Sequence, residues 1–102
     1  MVIMAALLMA TATPADTEWD KLRARVEAAP PSVAAFIERR AGCNHFWGEE
    51  PYDRARAQQI DAALRKLRCN RLAADERALR RTYRRQPTVL VLIEDTAEIG
   101  GW

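Results

Sequence analysis

The chain holds a single histidine, His45, with only two cysteines and four glycines in 102 residues. Each shortage closes off chemistry. The few glycines form no glycine-rich loop of the kind that cradles phosphate groups. Cys43 and Cys69 stand too far apart for a Cys-x-x-Cys redox pair, and neither belongs to a haem-attachment motif. No serine occupies a nucleophile elbow. No apolar run reaches the ~20 residues that a membrane-crossing helix needs. Repeats and low-complexity tracts are absent. These gaps point away from an enzyme and from any resident cofactor or metal.

What is present begins with an uncharged apolar run, Met1 to Ala10, followed by small residues. Ala10-Thr11-Ala12 fits the small-x-small pattern that signal peptidase accepts, with Thr13-Pro14-Ala15 as a second option. No Lys or Arg precedes the run, so its amine alone supplies positive charge. An uncleaved anchor and a buried N-terminal helix are the other readings of this run. The preferred expectation is an export signal over 1–15, a helical domain over 16–102, and a periplasmic or secreted location. In an oxidising compartment, two thiols in a small domain are most simply one disulfide. A Cys43–Cys69 bond would contribute up to ~3.5 kcal/mol through loop-closure entropy, a large share of a typical ~5–15 kcal/mol.

Periodicity places helices along the rest of the chain. Trp19, Leu22 and Val26 form one apolar stripe from Asp16 to Ala29, with Asp16 or Thr17 as cap, until Pro30-Pro31 breaks it. Ser32 reads as the cap of a second helix through about Arg40, with Val33, Phe36 and Ile37 inward. Gly42 reads as its stop. The aromatic-rich stretch Cys43 to Asp53 reads as a loop. Asp53 caps a third helix to about Arg68, with Ala57, Ile60, Leu64 and Leu67 on one face. A fourth runs from about Ala73 to Arg85, with Leu72 just before it and Leu79 and Tyr83 inward. Thr88 to Ile93 suits a strand by β-branching and a helix by the position of Pro87. Helix is preferred, because no second strand is available for pairing. The expected fold is all-α, about four short helices in one small domain stapled by one disulfide.

Net charge is +2, but its distribution is uneven. Between Arg54 and Gln86 stand eleven Lys or Arg and three acids, Asp61, Asp75 and Glu76. Glu49, Glu50 and Asp53 on one side and Glu94, Asp95 and Glu98 on the other are acidic. Arg77, Arg80, Arg81, Arg84 and Arg85 fall away from Leu79 and Tyr83 and form a candidate basic face for an anionic surface. Export would remove the chain from nucleic acid, and no recognition motif for it is present.

The aromatic loop offers three readings. A metal site would use Cys43, His45, Cys69 and a carboxylate, but the spacing matches no standard zinc finger. A Cys–His nucleophile would need a free thiolate. The preferred reading is a disulfide-anchored loop in which His45 caps or packs and Trp47 covers the core. Glu49, Glu50 and Asp53 resemble a paired-carboxylate site only superficially, since neighbours in sequence rarely converge. His45, Phe46, Trp47 and Tyr52 form a candidate contact patch for another envelope or secreted protein, because aromatics dominate interface hot spots.

The run Phe36-Ile-Glu-Arg-Arg-Ala-Gly-Cys-Asn-His45, with Gly48-Glu-Glu-Pro-Tyr-Asp and Leu67-Arg-Cys-Asn, resembles a group of small exported proteobacterial proteins with two cysteines. That resemblance covers most of the mature chain and brings no activity with it. Leu72, Glu76, Leu79 and Tyr83 after Cys69 are similar to the LprI-type lysozyme-inhibitor domain, a helical cysteine-containing envelope module. Here Cys69 lies closer to the leucine, and two cysteines stand where four are usual. The resemblance implies an inhibitor acting by contact and transfers no functional residues.

Overall fold

The computed structural model describes residues 14–101. The export signal expected over 1–15 lies outside them, except for the first residues of helix α1. Five α-helices follow one another: α1 (Pro14–Ala28), α2 (Pro31–Trp47), α3 (Arg54–Lys66), α4 (Leu72–Thr82) and α5 (Pro87–Asp95). A 3-10 turn at Cys69–Arg71 joins α3 to α4. No strand occurs among the described residues, and Thr88 to Ile93 is helical within α5.

Helix α2 is the spine, against which α1, α3, α4, α5 and the 3-10 turn all pack. Its Val33, Phe36, Ile37, Ala41 and Cys43 are buried, joined by Val26 of α1 and Val89, Leu92 and Ile93 of α5. Leu22, Leu64, Leu67, Leu79 and Tyr83 pack around this core, while Trp19 is 40% exposed. The Cys43–Cys69 disulfide is formed, with Cα atoms 5.7 Å apart. It ties the C-terminal part of the spine to the 3-10 turn at the head of α4.

Four sequence expectations are corrected. Gly42 does not stop α2, which continues through Cys43-Asn-His-Phe-Trp47, so these residues are helix rather than loop. Glycine inside a helix costs only ~1 kcal/mol, and here tertiary contacts outweigh that. A Cβ on Gly42 would stand 3.0 Å from Leu67 Cδ1, so the glycine admits α3 close to the spine. The helix ends instead at Gly48, whose N–H donates to Asn44 O, shortly before Pro51. Cys43 accordingly lies inside a helix, not past its end.

Ser32 does not cap α2. The helix opens on Pro30 and Pro31, and the Ser32 hydroxyl instead meets Tyr83 Oη at 2.9 Å. Asp16 and Thr17 lie within the first turn of α1 rather than ahead of it. Finally, α4 closes at Thr82, which leaves Arg84 and Arg85 in the following turn. The expected cap at Asp53 is present: its Oδ1 accepts from Arg56 N at 2.7 Å. Helix α3 then ends through Arg68, held in the left-handed region at φ 52°, ψ 50°.

Candidate functional site

The disulfide consumes both thiols, so neither is left as a metal ligand or a nucleophile. Among the described residues no three His, Cys, Asp or Glu side chains stand close enough to share a metal ion. His45, on the last turn of α2, places Nε2 3.8 Å from Glu49 Oε2 and packs edge-to-face on Phe46. Glu49 is committed elsewhere as well. Arg56 Nε and Nη2 donate to its two oxygens, both at 2.7 Å, a bidentate clamp between the end of α2 and the first turn of α3. With Asp53 capping α3, only Glu50 of the three acids makes no such contact.

Trp47 does not cover the core. Its side chain is 56% exposed and Tyr52 is 81% exposed, while Phe46 is half-buried. Trp47 rims an open depression of about 480 Å³ shared with Leu64, Arg65, Cys69 and Asn70. The clamp at Glu49 and the disulfide at Cys43 fix the helix end that carries this indole. Tyr52 belongs to the connection between α2 and α3 and does not line the depression.

The basic face divides in two. Arg80 belongs to an internal network: it bonds Glu76 at 3.2 Å and Glu94 at 3.0 Å, joining α4 to α5. These partners raise its pKa against the opposing effect of burial. Arg77, Arg81, Arg84 and Arg85 are exposed and make no ion pair among the described residues. Arg65, Lys66, Arg68 and Arg71 at the α3–α4 junction likewise make no ion pair with any described residue. The reason lies in how α4 is turned. Its two acids, Asp75 and Glu76, face the spine and take Arg39 and Arg40, both at 2.6 Å. The cations of this region are thereby left facing solvent.

Arg40 was not legible as a key residue. It is 6% exposed, on the same face as Val33, Phe36 and Ile37. Nη1 donates to Glu76 Oε1, and Nη2 donates to Ile93 O and to Thr96 Oγ1. Its guanidinium carbon lies 5.1 Å from the centroid of the Phe36 ring, with that of Arg39 5.7 Å away. Burial pushes the Arg40 pKa down, opposed chiefly by Glu76. The signal for it was an arginine four residues after Phe36, on the core stripe. Asn44, one helical turn on, donates to Ala97 O and Ile99 O at 2.9 Å each and fastens the C-terminal segment.

Comparison with family models, with curated proteins and with solved structures finds no match. No helix among the described residues is long and apolar enough to cross a membrane.

Proposed function

We propose that the chain is an exported helical binding protein that acts by protein–protein contact, as an envelope protein or an inhibitor, through the Trp47 depression. The observation that carries this reading is a half-exposed indole on a rigid helix end. It sits beside an apolar side chain, Leu64, and an unpaired cation, Arg65. Tryptophan and arginine are the residue types most enriched at binding hot spots. The disulfide is compatible with an oxidising compartment.

Trp47→Ala tests it. Truncating a half-exposed side chain should change stability by less than ~1 kcal/mol. Loss of a hot spot removes ~2 kcal/mol or more of binding, about thirtyfold in affinity. Pull-downs from envelope extract with wild type and variant should differ accordingly. A large fall in melting temperature with capture retained would instead assign Trp47 to the core.

A second reading is favoured by the four unpaired arginines Arg77, Arg81, Arg84 and Arg85: association with an anionic surface. Retention on anionic vesicles or heparin should then collapse between ~50 and ~200 mM salt. No retention at the lower concentration rejects it.

A further inference from the structure

We propose that the groove between α2 and α4 binds an acidic segment of a partner protein, a carboxylate meeting Arg68 beside an apolar side chain seated over Phe36 and Leu79. This site shares no lining residue with the Trp47 depression, so either can fail while the other stands.

The groove has a volume of about 350 Å³. It exists because Ala35 and Ala78, on facing helices, are too small to close it. Phe36 and Leu79 supply its apolar floor. Asp75 also lines it, but its carboxylate is already held by Arg39 at 2.6 Å. Arg68 stands at the groove and makes no ion pair with any described residue, which leaves its charge open to a partner.

Arg68 is the only non-glycine residue among those described with positive φ. Glycine is the usual occupant of such a helix-ending position, because a side chain there costs about 1 kcal/mol. Strain of this kind, kept where a cheaper residue would serve, marks a position held for something other than stability. Arg77 and Arg81 stand one turn apart on α4, each next in sequence to a groove residue, Ala78 or Thr82. Like charges at that spacing repel by a few tenths of a kcal/mol. A single small anion would engage Arg68 alone. A segment with several carboxylates would also engage Arg71, Arg77 and Arg81, and charge complementarity therefore selects an acidic polypeptide.

The test is calorimetric titration of the disulfide-intact protein with a Glu-rich peptide carrying leucine, beside its Gln-for-Glu counterpart. The acidic peptide should bind at low salt and the Gln peptide should not. Arg68→Gly should weaken binding roughly tenfold or more, the value of a charge-assisted hydrogen bond, while the melting temperature rises. Ala78→Leu should weaken it comparably by filling the groove without changing charge. Equal affinity for the two peptides, no binding of either, or survival of binding in either variant overturns the proposal. Anionic phosphatidylglycerol vesicles that bind in an Arg68-dependent way while the acidic peptide does not would replace it with a membrane contact.

Discussion

Arg40 joins three elements with one side chain: the spine, α4 through Glu76, and the end of α5 through Ile93 O and Thr96. A planar guanidinium suits this task because its donors diverge in a fixed fork. An ammonium is a point charge that cannot reproduce that fork. Arg40→Ala should therefore cost about 3 kcal/mol, since it leaves a buried carbonyl and hydroxyl without their donor. Arg40→Lys should recover less than half of that loss by urea unfolding, and full recovery by lysine would show that charge alone matters there. Arg68 makes the opposite case. Its left-handed backbone should relax in Arg68→Gly, raising stability by about 1 kcal/mol and the melting temperature by ~5 °C. An unchanged or lower melting temperature would mean that the Arg68 side chain stabilises the fold through contacts that offset its backbone strain.

At the scale of elements, the sequence was readable where local chemistry and tertiary packing agree. Asp53 caps α3 because a carboxylate there meets a free N–H whatever the surroundings. Helix α5 follows from Pro87 at a first helical position and from the lack of a partner strand. Helix α2 continues past Gly42 for reasons set by distant residues: Leu67 pressing on Gly42, the bond to Cys69, and the tail held by Asn44. None of these leaves a mark on the local pattern. The same distance hid Arg40, whose partners lie 36 to 56 positions away. The candidate site is only partly legible: the aromatic residues mark the region, but their pattern reads as a loop where the structure has a helix end carrying Trp47 and leaves Tyr52 apart from it. Asn44 supplies a test at this scale. Asn44→Ala should destabilise the protein by about 1–2 kcal/mol. Amide exchange should accelerate chiefly in residues 96–101, and uniform acceleration along the chain would contradict an anchoring role.

For the molecule as a whole, burial is distributed unequally about the spine. One side, built from α1, α2 and α5, contributes Val26, Val33, Ile37, Val89, Leu92 and Ile93 to the core. The other depends on α3, whose only buried residue is Ile60. Helix α3 lies within the loop closed by Cys43–Cys69, so the covalent link compensates for thin packing. Loop closure over 26 residues contributes ~3.5 kcal/mol by the chain-entropy argument. Reduction should then lower the melting temperature by on the order of 15 °C. The loss should also be graded, because local opening follows local burial. In reduced protein, amides of Arg54–Lys66 should lose exchange protection first, while those of α2 and α5 keep theirs at low denaturant. Simultaneous loss in all five helices would show instead that the two sides form one cooperative unit and that the bond stabilises both equally.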